Sequence, residues 1–359
     1  MEIKNTKFDF NDFLIVPEKT TDINSRYKDV VIDEKKLPLM TAPMDTVVGL
    51  ENMKKFIDLG VMVVLPRTIK YCDYFDYLEK ELRVRRYEIR NSIYKDVFLS
   101  LGFEDIENNL KCEFVCFPLY SNILIDVANG HMMKVLEYSK KIKEIRPDIS
   151  IMVGNIANPE TYRIYAESEC VDYIRCGIGA GGGCLTTKQS GVGYPMASLV
   201  YEIKKIKDEL GYGPKIVADG GMKEYSDIIK AIALGSDYVM VGSLFNKAID
   251  SYGNNYFMGI KVSDKLALYL YKKKFTIKKY YRGMSTKDVQ KAMGKKIIKT
   301  SEGVVRYRKA EYTLSGWVEN FKHYLRSSMS YSDCRLLDEY KGGVKIAMIT
   351  KNVYDRFNK

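Results

Sequence analysis

The chain has 359 residues, 46% of them hydrophobic and 29% charged, a balance that excludes a disordered, collagen-like or fibrous protein. No stretch approaches the roughly 20 apolar residues a bilayer-spanning helix needs, and Met1 to Asn11 lacks the apolar run of a secretory leader, so the sequence reads as soluble and cytoplasmic. The net charge of +11 suits phosphorylated ligands or a lysine-rich surface; no recognition-helix or zinc-finger pattern accompanies it, which points away from nucleic acid.

In chain order, eight short apolar runs read as buried parallel strands: Leu37–Met40, Val61–Leu65, Val97–Leu101, Ile123–Val127, Ile149–Val153, Tyr173–Cys176, Lys215–Ala218 and Tyr238–Val241. Helical spacing lies between most of them. Val135, Tyr138, Ile142 and Ile145 recur at steps of three and four, as do Leu199, Ile203, Ile206 and Leu210. Pro147-Asp148 ends the first of these helices. The alternation predicts an α/β fold, a (β/α)8 TIM barrel, with an open doubly wound sheet as the alternative. Residues 251–279 read as an insertion with Gly-Asn and Ser-Asp turns. Residues 251–310 as a whole are expected to form an insertion and mobile flap. A C-terminal extension follows, with its last barrel helix starting near Asn320–Arg326. No repeat or interdomain linker is visible, so residues 1–359 read as one catalytic domain.

Seven cysteines, odd in number and scattered, argue against a disulfide framework. There is no CxxC pair, and the only histidines are His131 and His323. Neither a zinc site nor a histidine base is expected. One cysteine has a distinctive setting. Cys184 ends the loop Gly177-Ile178-Gly179-Ala180-Gly181-Gly182-Gly183, directly after the sixth strand run. In a barrel, the C-terminal ends of the strands carry the active site. Glycines there let the backbone approach a ligand closely, and a thiol at the loop's end can act as a nucleophile. Buried packing is the reading for the other six cysteines. After the seventh and eighth runs stand Asp219-Gly220-Gly221 and Gly242-Ser243. These two loops are the usual phosphate site of a barrel, while the Asp219 carboxylate suits ribose hydroxyls. A nucleotide-modifying enzyme follows from these residues, without a specified reaction.

Further motifs carry a resemblance. Pro43-Met44-Asp45-Thr46, Asp126-Val127-Ala128-Asn129-Gly130, Gly154-Asn155 and Gly191-Val192-Gly193-Tyr194-Pro195 are joined by Val241-Gly242-Ser243-Leu244-Phe245 and Tyr281-Arg282-Gly283-Met284-Ser285. From Asp9 to about Ser330 the chain resembles the family of inosine-monophosphate dehydrogenase and guanosine-monophosphate reductase, and is most similar to its reductase branch. About thirty residues separate the second and third strand runs, too few for the regulatory cystathionine-synthase-type modules of most dehydrogenases. Glu302 stands where a dehydrogenase carries glutamine, and residues 286–301 contain neither arginine nor tyrosine. Arg306-Tyr307 reads as structural. Pro43 is dehydrogenase-like. Gly182 replaces a serine, Met196 a glutamine, and Leu65-Pro66-Arg67 a His-Lys motif.

The resemblance implies reduction of GMP to IMP by NADPH, with Cys184, Thr186 and Glu302 catalytic. It implies that Asp219, Gly220, Gly221, Gly242 and Ser243 hold ribose and phosphate, and that Gly283, Met284, Ser285 and Lys299 face the base. Asp126, Asn129 and Asn155 match cofactor positions. The carbonyls of Gly179, Gly181 and Cys184 match a potassium site. A homotetramer is implied as well. Oxidation of IMP to XMP with NAD, and a noncatalytic nucleotide or RNA binder, are the alternatives.

Overall fold

The structure, a computed structural model, describes residues 6–81, 83, 94–95, 97–111, 122–292 and 303–357. A short strand, β1 (Phe13–Ile15), comes first. Eight parallel strands follow: β2 (Leu39–Thr41), β3 (Val64–Leu65), β4 (Phe98–Leu101), β5 (Asn122–Asp126), β6 (Ser150–Ile156), β7 (Tyr173–Cys176), β8 (Lys215–Asp219) and β9 (Tyr238–Val241). They run in the order β2-β9-β8-β7-β6-β5-β4-β3. The ends meet where Met40 bridges Met62, with the Thr41 amide donating to the Met62 carbonyl at 2.9 Å. The chain is therefore a (β/α)8 TIM barrel. All eight predicted runs contribute a strand, with ends shifted by a few residues.

Strand parity divides the core into two compartments. Ile123, Ile125, Ile174 and Ile216 point outward and pack against the helices. Met40, Val64, Phe98, Leu124, Met152 and Val217 fill the barrel itself. The two ends of the barrel differ in chemistry. Phe98, Tyr173 and Tyr238 begin their strands and close the N-terminal end, with Phe98 and Tyr173 edge to face at 5.2 Å. At the opposite end the same inward parity brings Asp126, Arg175 and Asp219 together. The apolar plug is rigid support; the charged end is where ligand chemistry can occur.

The helix Met133–Ile145 buries Val135, Tyr138 and Ile142, but Ile145 is exposed. The helix Met196–Leu210 buries Leu199, Ile203 and Ile206. The last long helix begins at Leu314, earlier than the predicted Asn320, because the Thr313 hydroxyl caps it by accepting from the Gly316 amide at 3.2 Å. Trp317, Phe321 and Leu325 then pack inward.

The predicted insertion is a small antiparallel sheet. Its strands are β10 (Asn255–Phe257), β11 (Ile260–Val262), β12 (Lys278–Arg282) and β13 (Val305–Lys309), ordered β11-β10-β12-β13. Lys279 anchors it to the barrel from a fully buried position. Its ammonium donates to the carbonyls of Ser251 at 2.8 Å and Gly253 at 2.6 Å. Finally, β14 (Ile346–Met348) returns to pair with β1. Residues 293–302, part of the predicted flap, lie outside the described residues.

Candidate active site

The charged end of the barrel is organised around Arg175. Its Nε donates to Asp219 Oδ2 at 2.9 Å and its Nη1 to Asp126 Oδ1 at 2.7 Å. Burial opposes the guanidinium charge, and the two carboxylates outweigh it, so its pKa is raised. Space for this side chain comes from β6. A Cβ on Gly154 would stand 2.5 Å from the Arg175 carbonyl oxygen and 2.6 Å from its Cβ. The next residue, Asn155, donates its amide to the Gly177 carbonyl at 2.7 Å and to Asp219 Oδ2 at 2.8 Å. Both contacts to Asp219 fall on one oxygen. Among the described residues nothing donates to Oδ1, which leaves an acceptor of the kind a ribose hydroxyl needs.

Asp126 thus joins the Asp219 cluster through Arg175, and Asn155 joins it directly. Asn129 does not. Its Oδ1 accepts from the His131 amide at 3.2 Å and lies 2.9 Å from His131 Nδ1. His131 Nε2 accepts from the Ala157 amide at 3.0 Å, so Nδ1 bears the proton. Burial pushes the His131 pKa down, favouring this neutral form. The pair braces the loops after β5 and β6.

Cys184 lies at the end of the glycine loop after β7. Its Sγ is 3.2 Å from Thr186 Oγ1, and its amide donates to the Gly181 carbonyl at 3.0 Å. Opposite it runs the return strand of the insertion. Cys184 forms an antiparallel bridge with Gly303, and the Val304 amide donates to the Gly183 carbonyl at 3.1 Å. The approach is too close for side chains. A Cβ on Gly283 would meet the Gly183 carbonyl oxygen at 2.5 Å and Gly303 Cα at 3.0 Å. Glu302, the residue before Gly303, and Lys299 lie outside the described residues.

The phosphate loops also converge. Gly220 has φ +89°, and a Cβ there would lie 2.9 Å from the Gly181 nitrogen, which packs the loop after β8 against the cysteine loop. From the other side, Ser243 Oγ is 3.9 Å from the Cβ position of Gly182. Gly221 and Gly242 flank this junction. Met284 is half-buried and Ser285 exposed in the turn after β12, where the Ser285 carbonyl accepts from Gln290 at 3.1 Å. Asp45 and Arg282, from two separate motifs, form a salt bridge beside them.

Of the other cysteines, Cys170, Cys176 and Cys334 are buried, and burial pushes the Cys176 thiol up to about 12. Cys72 is exposed, so packing does not explain it. Cys112 and Cys116 lie outside the described residues. Tyr307 packs edge to face on Tyr256 and Tyr280, while its neighbour Arg306 is exposed.

Two implied groups can be tested against these residues. The carbonyls of Gly179, Gly181 and Cys184 are neutral oxygen donors, which fits a monovalent cation, although the Gly181 oxygen already accepts one hydrogen bond. At the end of β3, Arg67 presses against Gly102, and its Nε is buried without a partner among the described residues. An unsatisfied guanidinium at the active-site face fits an anionic dinucleotide. Sequence reasoning did not single out Arg175. Its signal was a charge at an inward position of an otherwise apolar strand.

The family model described as "IMP dehydrogenase / GMP reductase domain" matches residues 7–355, and the chain belongs to that family. It is 29% identical to a protein named GMP reductase from Lactobacillus delbrueckii subsp. bulgaricus, over 93% of this chain and 92% of that one. A protein of the same name from Caenorhabditis elegans is 26% identical, with 98% and 94% covered. An inosine-5'-monophosphate dehydrogenase from Halalkalibacterium halodurans is 30% identical over 64% of this chain and 45% of that one.

Proposed function

We propose that this chain, as a member of the IMP dehydrogenase / GMP reductase family, catalyses the NADPH-dependent reductive deamination of GMP to IMP, releasing ammonia. The observation that carries the reading is the Cys184 thiol at the barrel mouth, 3.2 Å from the Thr186 hydroxyl and bridged through its backbone to Gly303, the residue after Glu302. The reductase branch is supported by sequence: glutamate at 302, and no arginine or tyrosine in residues 286–301.

In this reading Cys184 sulfur attacks C2 of the guanine ring and forms a C–S bond. The exocyclic nitrogen leaves as ammonia, because an amide anion is too basic to depart; Glu302 and Thr186 supply the proton. NADPH, when bound, supplies the hydride that C2 requires. The C–S bond then breaks, Cys184 departs as thiolate and IMP is formed. Asp219 accepts from the ribose through Oδ1, while Gly220, Gly221, Gly242 and Ser243 hold the phosphate. Gly283, Met284, Ser285 and Lys299 face the base. Asp126, Asn129 and Asn155 would line the nicotinamide end, and the carbonyls of Gly179, Gly181 and Cys184 would hold potassium. The family likeness carries with it a cytoplasmic homotetramer; residues 1–359 are read as one domain with 251–310 as its insertion and flap.

The experiment is incubation with GMP and NADPH. Loss of NADPH absorbance with appearance of IMP is the expected result. Reaction only of IMP with NAD would replace this reading with the dehydrogenase, which Pro43 and the Halalkalibacterium halodurans relative favour. GMP binding without turnover in either direction would leave a nucleotide binder.

A further inference from the structure

The insertion sheet sends one cation toward the junction of the glycine loops. Arg308 lies on β13, opposite Lys279 of β12. Its Nη2 is 3.3 Å from the point where a Cβ of Gly182 would stand, and Ser243 Cβ is 3.8 Å from that same point. The guanidinium lies over the Tyr281 ring, 4.2 Å from its centroid. Tyr281 is buried and itself borders Gly183, whose Cβ position is 3.0 Å from the phenol oxygen. The aromatic face thus fixes the plane of the guanidinium, and the bare backbone of Gly182 leaves room beside it.

Among the described residues no carboxylate pairs with Arg308. Glu311, whose charge it feels, is held by Lys247 at 3.1 Å. Burial lowers its pKa, and the like charge of Arg306 lowers it further. An arginine nevertheless stays protonated in proteins. A desolvated, oriented, permanently charged fork without an acceptor is a site for a dianion rather than a structural ion pair.

We propose that Arg308 binds the 5′-phosphate of the purine nucleotide, with the Ser243 hydroxyl and the backbone at Gly182 completing the contact. The inference rests on the nucleotide reading above and adds to it a specificity residue from outside the barrel. It makes recognition of the phosphate, and discrimination against the bare nucleoside, depend on the insertion sheet. It also gives the glycine at 182 a use. A side chain there would press on the guanidinium at 3.3 Å.

The test measures binding of GMP, guanosine and inorganic phosphate by calorimetry, in the full chain and in Arg308→Met and Arg308→Lys. Loss of a charge-assisted contact weakens binding by about 10- to 100-fold. That loss is expected for GMP in Arg308→Met, with guanosine binding unchanged and phosphate binding abolished. Arg308→Lys should fall between, since it keeps the charge and loses the fork. In turnover, KM for GMP should rise by a similar factor while kcat stays within about threefold. Equal GMP affinity in wild type and Arg308→Met overturns the inference and leaves the nucleotide reading intact. Equal losses for GMP and guanosine overturn it too, because the effect is then structural. A wild-type protein that binds guanosine as tightly as GMP overturns both. Should Arg308→Met fail to fold, Arg308→Lys and Arg308→Gln answer the same question by the same comparison of GMP with guanosine.

Discussion

Two arginines face the barrel mouth from opposite sides, and their surroundings differ. Arg175 rises from the inner wall and meets two carboxylates, Asp126 and Asp219, at 2.7 and 2.9 Å. Arg308 descends from the insertion sheet and meets an aromatic ring and bare glycine backbone. Both are substantially desolvated. The first has its countercharge built into the fold, so it fixes the positions of groups that must not move. The second has none among the described residues, so a ligand is the countercharge it is suited to receive. A buried charge therefore belongs to architecture or to recognition according to whether the chain itself neutralises it.

The contrast extends to the catalytic step, where the largest effect is expected. Cys184→Ala should reduce turnover by about 10³-fold or more, since it removes the nucleophile. GMP binding should persist, because neither Arg308 nor Asp219 is touched. Single-turnover kinetics and calorimetry read the two quantities separately. Retained turnover would remove the covalent route.

Arg175→Met probes the architectural side. It leaves Asp126 and Asp219, both partly buried, near one another without their shared cation, which should cost up to about 3–5 kcal/mol. A urea unfolding midpoint measures it. Adding Asp126→Asn to that variant should recover part of the loss, because one of the stranded charges is gone. An unchanged midpoint in the single variant would break the comparison.

Lys279 is a third cation, held by backbone carbonyls. Burial lowers its pKa to about 8 from an ordinary value of 10.5, against the favourable pull of Asp264 and Asp250. Between these values the unfolded chain binds the proton and the folded chain does not. The ammonium's desolvation penalty is thus present in full below pH 8 and is relieved as pH rises toward 10.5. The gain should be about 1–3 kcal/mol. Buried tyrosines such as Tyr281, whose pKa burial raises, work the other way at higher pH. The measurement is therefore the pH dependence of stability in wild type minus that in Lys279→Met. A flat difference between pH 8 and 10 would count against a buried ammonium there.

The barrel strands were readable and the strands within the insertion were not, for the same physical reason. Strands enclosed on both faces must be apolar throughout, so runs such as Ile123–Val127 stand out from their surroundings. The insertion strands, Lys-Lys-Tyr-Tyr-Arg at 278–282 and Val-Arg-Tyr-Arg-Lys at 305–309, are held by cross-strand pairs such as Tyr280 with Tyr307 and carry charge for solvent or ligand. Their pattern alone does not separate them from a helix or loop. The Cys184 loop and Asp219 were legible because glycine clusters at strand ends are rare and positional. Arg308 was not, because its meaning depends on Gly182 and Tyr281, which are distant in sequence. The pairing of β1 with β14 was missed for a similar reason: each strand is three residues long and carries too little pattern.

Arg308→Met should have the smallest effect on stability, and the sign is informative. The substitution forfeits a cation–π contact of about 0.5–1 kcal/mol. It also removes a desolvated charge that no carboxylate offsets, which acts in the opposite direction. The net change should stay within about 1 kcal/mol of zero, against the several expected for Arg175→Met. Inorganic phosphate then separates the two roles. A ligand that binds only the folded protein raises stability by about 2.7 kcal/mol at a hundredfold excess over its Kd. Phosphate should raise the melting temperature of wild type and of Cys184→Ala, but not of Arg308→Met. A variant at 308 that loses stability like Arg175→Met, or that still responds to phosphate like wild type, would place Arg308 on the architectural side.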